Sequence, residues 1–305
     1  MRTPTLAVVV PATDDPPTLE RCLRAIETGD RAPDELVVQR EPPGTGPAGA
    51  RNAGSEETTA EVLVFVDSDV EVDAEALSRI ERHFRDDPGL AAVFGAYDDD
   101  PAEPGVASRY RNLLHHHVHS GAAGEAETFW AGLGAVRRDA FEGAGGFDAD
   151  RYPRPSVEDI ELGMRLRRQG ARIVLDPRIR GRHLKRWTVA SMIQTDFGRR
   201  GVPWMRLLLR EGSGSTALNL GWRRRLSAAS SVALLGFLLA RRRRLAAAAL
   251  LANLALDRDL YALLARRGGP GLLAAGIGLH QLHQLCAAAS VPVAIALHLA
   301  EETQQ

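Results

Sequence analysis

Asp67 and Asp69, separated by Ser68, end a run of five apolar residues, Val62-Leu63-Val64-Phe65-Val66. Three of the five are β-branched, and so continuous an apolar run predicts a strand buried on both faces. Along an extended segment residues i and i+2 point the same way, so both carboxylates are expected to face one site. That site lies beyond the carboxyl end of the strand, where open α/β sheets bind their ligands. Two carboxylates side by side repel each other unless a cation lies near them, and hard oxygen donors suit Mg2+ or Mn2+. The plainer alternative is a solvated turn that caps a helix over 74–84.

The elements that must hold this pair alternate in type. Leu6–Val10 predicts a strand stopped by Pro11, and Leu19, Cys22, Leu23 and Ile26 then recur at helical spacing. Leu36–Val38 predicts a second strand. A loop rich in Gly and Pro, 41–47, leads into a helix over 48–59. The central strand 61–66, the helix 74–84 and a strand at Ala91–Phe94 follow. Beyond an acidic loop come a helix over 106–120, a strand over 127–136, a short helix at 139–142, a helix over 157–169 stopped by Gly170, and a last core strand at Ile173–Leu175. Strands alternating with helices imply an α/β fold, Rossmann-like, with a mostly parallel sheet flanked by helices. Arg51 stands near a helix start after a glycine-rich loop, where it could meet a diphosphate; an ion pair with Glu56 or Glu57 is the alternative. His115, His116, His117 and His119 form either a metal tract or a polar helix end.

Charge divides the chain. Residues 1–203 carry 26 basic and 34 acidic side chains, a net of −8, whereas residues 204–305 carry 12 and 5, a net of +7. These two stretches are the expected domains, an α/β domain over 1–203 and a helical region over 204–305. The second is rich in Ala, Leu and Arg. Leu226–Ala240 is uncharged between Arg223-Arg224-Arg225 and Arg241 to Arg244, Leu245–Leu256 is again apolar, and 271–300 has no formal charge. A spanning helix needs about 20 apolar residues. Only the last segment is long enough, and it carries His280, Gln281, His283 and Gln284. Helices lying in the membrane interface, or a shallow hairpin with arginines reaching to phosphates, fit better than a span. A soluble helical hairpin used for dimerisation is the alternative. No nucleic-acid partner is expected. Cys22 and Cys286 lie far apart in unlike contexts, so neither a disulfide framework nor a zinc site is implied. Met1-Arg2-Thr3-Pro4 leads straight into the first strand, and no signal peptide is expected.

Six short motifs in order carry a resemblance. They are Val8-Val9-Val10-Pro11-Ala12, Ala50-Arg51-Asn52-Ala53-Gly54, Leu63 to Asp69, Arg137-Arg138-Asp139-Ala140-Phe141 with Gly145-Gly146-Phe147-Asp148, Glu158-Asp159-Ile160-Glu161-Leu162 to Arg165-Leu166, and His183 downstream. Over residues 5 to 190 the chain resembles the family 2 inverting glycosyltransferases of the GT-A fold, in their membrane-associated bacterial form. Two positions depart from that pattern. The second strand ends in Gln39 and Arg40 where the family has acidic residues, with Glu41 as substitute, and Leu133 stands where an Asn is usual.

The resemblance implies displacement at the anomeric carbon of a UDP- or GDP-sugar by a hydroxyl (or phosphate) of an acceptor, with a lipid-linked acceptor or a membrane-attached glycan as candidates, at the cytoplasmic face of the cell membrane. Pro11, Ala12, Glu41, Arg51, Asp67 and Ser68 would face the donor. Asp69 and His183 would hold Mn2+ or Mg2+, and Asp159 would be the general base. Glu158 and Trp130 fall on the acceptor side, although Phe129 and Trp130 read equally well as core. A contact from a basic loop to phosphate is the alternative for His183, and helix capping is the alternative for Glu158 and Asp159. A sugar nucleotidylyltransferase would need a glycine-rich loop after the first strand, and 11–17 has no glycine. A non-catalytic membrane-attached scaffold of the same fold would have no need of Asp67, Asp69, Asp159 and His183 together.

Overall fold

The run that precedes Asp67 forms β3 (Val62–Val66), every residue of it buried. The computed structural model describes residues 2–40, 42–212 and 221–303. Around β3 lie β1 (Leu6–Pro11), β2 (Glu35–Gln39), β4 (Val70–Val72), β5 (Leu90–Tyr97), β6 (Gly124–Glu125), β7 (Leu133–Arg137) and β8 (Arg172–His183), in the order β2-β1-β3-β7-β5-β8-β4 with β6 on β8. β1 runs parallel to β2 and β3, and β5 runs parallel to β8. The expectation of a mostly parallel sheet needs refinement here, because β7 is antiparallel to both its neighbours and β4 is antiparallel to β8. The α/β class holds and the sheet is mixed. Among the described residues 127–132, no strand forms; that segment is a loop ahead of β7.

Helices α1 (Leu19–Glu27), α2 (Pro47–Glu56), α3 (Ala76–Asp86), α5 (Arg138–Gly143) and α6 (Glu158–Arg168) belong with this sheet, and α4 (Val106–Ser120) precedes β6. Their apolar spacing explains the packing: α1 buries Leu19, Cys22 and Ile26, and α3 buries Leu77, Ile80 and Phe84. Pro47 starts α2, where its missing N–H costs nothing. Phe65 of β3 meets Phe141 and Phe147 at centroid distances of 5.5 and 5.2 Å. This aromatic cluster ties the glycine-rich end of α5 to the central strand.

The chain divides into two compact units, 1–103 with 118–185, and 104–117 with 186–305. The division falls at residue 185, ahead of the change in composition at 203. The second unit contains α7 (Val189–Ile193), a π-helical stretch (Gln194–Gly201), α8 (Val202–Glu211), α9 (Trp222–Leu239), α10 (Arg243–Leu256) and α11 (Arg258–Glu302). α11 is two helices broken at Gly269, whose φ of 64° only glycine adopts freely. Its apolar part is the single described helix long and apolar enough to cross a membrane.

The interior of this second unit sets a polar network beside buried Leu207, Leu260, Leu264 and Leu272. Arg224 Nη1 donates to Asp257 Oδ1 at 3.1 Å, the Ser227 hydroxyl donates to the other Asp257 oxygen, and His280 Nε2 lies 3.1 Å from it. His280 Nδ1 is 2.9 Å from the Tyr110 hydroxyl. Asn253 Nδ2 donates to Ser227 and Ser231 at 3.0 and 3.2 Å. His283 and Arg111 both pair with Asp196, at 2.8 and 2.7 Å. The polar stripe His280, Gln281, His283, Gln284 therefore belongs to this interior network.

Candidate active site

A tight turn, rather than an extended segment, carries Asp67-Ser68-Asp69. The Val70 N–H donates to Asp67 O at 2.9 Å, and the chain then re-enters the sheet as β4. This corrects the expectation that both carboxylates face the same way. Asp67 Oδ1 accepts from Arg51 Nη2 at 2.6 Å, and Asp69 Oδ2 lies 3.4 Å from His183 Nε2. The β4–β8 ladder explains the second pair. Val70 stands opposite His183, and the Leu184 N–H donates to Asp69 O at 2.8 Å, so the chain returns beside the turn after the 112 residues 71–182.

Arg51 lies on α2 and is only 3% exposed. Its partners are Asp67 and Glu158, whose Oε1 accepts from Nη1 at 3.1 Å, rather than Glu56 or Glu57. One guanidinium thus spans the two carboxylates, and its centre lies 5.4 Å from the Phe147 ring. Its buried Nε has no acceptor among the described residues. Glu158 also accepts from the Ser156 N–H at 2.8 Å.

Asp159 opens α6 beside Glu158. Its Oδ2 accepts from the Ala131 N–H at 3.3 Å and its Oδ1 from the Ile160 N–H at 2.8 Å. The Asp67 N–H donates to the next carbonyl along, Gly132 O, at 3.0 Å. Consecutive residues of the 127–132 loop therefore hold Asp159 and Asp67. Helix α6 reaches this loop because Gly163 has no side chain: a Cβ there would lie 2.2 Å from Phe129 N. Phe129 is core, and Trp130 is buried with its ring edge-on to Tyr97 at 4.9 Å and to His119 at 5.2 Å.

Tyr97, at the end of β5, was not singled out by any sequence pattern. Its ring stacks on the His183 imidazole at 4.3 Å and 11°, fixing the plane of that ring. The buried, hydrophobic character of an eight-residue strand ending in Tyr is the signal that could have found it.

Burial pushes the Asp69 carboxyl up, but the nearby His183 and Lys185 outweigh it and hold Asp69 below the usual range. For Asp67 burial dominates: Arg51 pulls its pKa down, Asp69 and Glu158 push it up, and the balance is a raised value. Burial beside this pair pushes the Cys22 thiol up to about 12, away from the thiolate form.

The donor-side residues lie along one sheet end. Pro11 closes β1, Ala12 is buried with its N–H donating to Gln39 O at 2.8 Å, and Ser68 is half-buried in the turn. Glu41 lies outside the described residues. The histidines of 115–119 lie on α4, and among the described residues no three His, Cys, Asp or Glu side chains form a metal-holding group.

The fold is that of the GT-A class. Residues 32–144 match the model of glycosyl transferase family 2. Among solved structures, the mannosyltransferase PcManGT from Pyrobaculum calidifontis, in complex with GDP-Man and Mn2+, is similar at a TM-score of 0.61 and 21% identity, over 95% of this chain and 88% of that one. S. aureus TarS is similar at 0.47 and 15%, over 93% and 90%. Glucosyl-3-phosphoglycerate synthase from Mycobacterium tuberculosis, in complex with Mn2+ and UDP-glucose, is similar at 0.44 and 17%, over 70% and 81%. At 21% identity the likeness to the Pyrobaculum calidifontis enzyme is one of fold. No curated protein sequence matches.

Proposed function

We propose that this chain is an inverting, metal-dependent glycosyltransferase that moves a sugar from a nucleoside diphosphate to an acceptor hydroxyl at the cytoplasmic face of a membrane. The observation that carries the reading is the pairing of Asp69, in the turn ahead of β4, with His183 at the end of β8, next to the Asp67–Arg51–Glu158 bridge and the Asp159 carboxylate.

The donor set of one carboxylate and one imidazole fits Mn2+ or Mg2+, with Mn2+ favoured by the nitrogen ligand. Two protein ligands leave coordination positions for diphosphate oxygens, which is how such hard cations are commonly held. When bound, the cation supplies neutralisation of the charge that grows on the departing diphosphate. On this reading Asp67, held by Arg51 and two positions before Asp69 in the turn, meets the donor ribose. Arg51 keeps Nε, one of its five donors, without an acceptor among the described residues. The acceptor alcohol must lose its proton as it attacks. Asp159 is the base: two backbone N–H groups orient its carboxylate, and the 127–132 loop sets it across from the Asp67 turn. A membrane-associated second unit makes a lipid-linked or membrane-attached glycan the acceptor this reading favours.

The direct test is thermal stability of the full chain with UDP or GDP, with and without Mn2+. Saturation at about 100 times Kd stabilises a folded protein by about 2.7 kcal/mol. The nucleotide should raise Tm only when Mn2+ is present, and Asp69→Ala and His183→Ala should each abolish the Mn2+-dependent part. An unchanged shift in both variants would show that the cation binds elsewhere.

A further inference from the structure

The hairpin of α9 and α10 is built inside-out. Its inward positions are Ser227, Ser231, Ala246, Ala249 and Asn253, and the polar ones are tied into the Asp257–His280 network. Outward it shows Leu226, Val232, Leu235, Leu239, Leu245 and Leu251, with Leu239 76% and Leu251 66% exposed. Residues 222–256 hold seven arginines and no acidic residue. Those arginines are sorted to the two ends. At the turn, Arg241 to Arg244 are all exposed and have no ion-pair partner among the described residues. At the base, Arg225 lies 5.1 Å over the ring of Trp222, itself 71% exposed.

We propose that this hairpin lies in one leaflet of an anionic bilayer, with its leucines among the acyl chains and both arginine ends at the phosphates. The inference rests on the reading of a membrane-associated second unit and deepens it by naming the face and the mode. Charge argues for this occupant. A second copy would set seven arginines against seven, and an acidic protein surface would leave the leucines between them unmatched. Length argues for the mode. The 15 uncharged residues 226–240 extend about 22 Å as a helix, against about 30 Å of hydrocarbon in a bilayer. A perpendicular hairpin of that length would leave four guanidinium groups short of the far headgroups, at high cost. Arg224 is held by Asp257 and Arg223 by Asp259; lying flat, the same helices place Arg225 and Arg241 to Arg244 within reach of a phosphate and leave Trp222 at headgroup depth, where indole rings prefer to sit.

The test uses the full chain and flotation with vesicles of phosphatidylcholine alone or with about one-third phosphatidylglycerol. The chain should float with the anionic vesicles and not with the neutral ones. Replacing Arg241, Arg242, Arg243 and Arg244 together by Gln should weaken partitioning about 100-fold or more. Nucleotide binding in solution reports whether that variant is folded. Mode is read from Arg243→Cys, since both native cysteines are buried. A membrane-impermeant maleimide added outside the vesicles should label this cysteine in the bound protein. Labelling only after the vesicles are lysed would overturn the flat arrangement in favour of a span. Equal flotation with neutral vesicles, or a quadruple variant that floats like the parent, would overturn the lipid surface itself, and neither result would touch the catalytic reading.

Discussion

β3 and the hairpin half α9 look alike on paper: each is an apolar run ended by like charges. The fold treats them in opposite ways. All of Val62–Val66 is buried, and the two carboxylates that follow each find a cationic or ionisable partner, Arg51 for Asp67 and His183 for Asp69. Most of Leu226–Ala240 is exposed or half-exposed, and the four arginines that follow have no ion-pair partner among the described residues. Charges that end a buried strand can be paired across a sheet because neighbouring strands converge there. Charges that end an exposed hairpin are left to water or to an anionic surface. The same difference shows in the interiors, which are apolar under the sheet and hold a polar network between α9, α10 and α11. A polar inside with an apolar outside is the arrangement expected where the surroundings are not water.

The pairing at β3 can be broken directly. Arg51→Met leaves Glu158 and Asp67 without their shared cation, and losing one partner of a buried ion pair costs about 3 kcal/mol or more. Urea unfolding should show this as a lower midpoint at an unchanged slope, and an unchanged midpoint would mean that water replaces the guanidinium. Tyr97 tests the second pair. Removing a group that orients a metal ligand commonly costs about 10- to 100-fold in affinity. Tyr97→Ala should weaken Mn2+ binding in that range by titration without donor, whereas Tyr97→Phe, which keeps the ring stacked on His183, should leave it near the parent value. Equal weakening in both would point to the hydroxyl instead.

Asp98 gives the smallest effect and sharpens the contrast, since it ends β5 among acids. Burial, with Asp73 nearby, raises its pKa from 3.8 to about 6. A carboxyl whose folded pKa is raised favours the fold below about pH 4, and that contribution is lost as the pH climbs through about 6. Asp98→Asn should therefore raise Tm at pH 7.5, by the equivalent of about 1 kcal/mol after discounting for partial exposure, and change it little at pH 4. A higher Tm at both pH values would remove the titration as the cause.

Much of this arrangement was legible before any coordinates. The apolar run into Asp67, the helix opened by Glu158 and Asp159, and the arginine-flanked apolar stretches all follow from spacing and composition. The turn at 67–70 was not, because β4 is only Val-Glu-Val and carries no signal of its own, and without it Asp69 appears to share Asp67's direction. The length of β8 was missed for a different reason. Arg178-Ile179-Arg180-Gly181-Arg182-His183 looks like a charged loop, yet it alternates outward arginines with buried Ile179, Gly181 and His183. That period of two was available and would have pointed His183 inward. The direction of β7 depends on which strands it pairs with, and a single sequence does not encode pairing in any local pattern.

The account turns on Asp159 taking the acceptor's proton while the groups around Asp67 and Asp69 hold the donor. The measurement that addresses this most directly is sugar transfer from a UDP- or GDP-sugar by Asp159→Asn in the presence of Mn2+, alongside donor binding by the same protein. A positioned general base commonly contributes about 100- to 10,000-fold. Transfer should fall by that amount while the Kd for the donor stays within about twofold. Transfer at the parent rate in the folded variant would contradict the assignment.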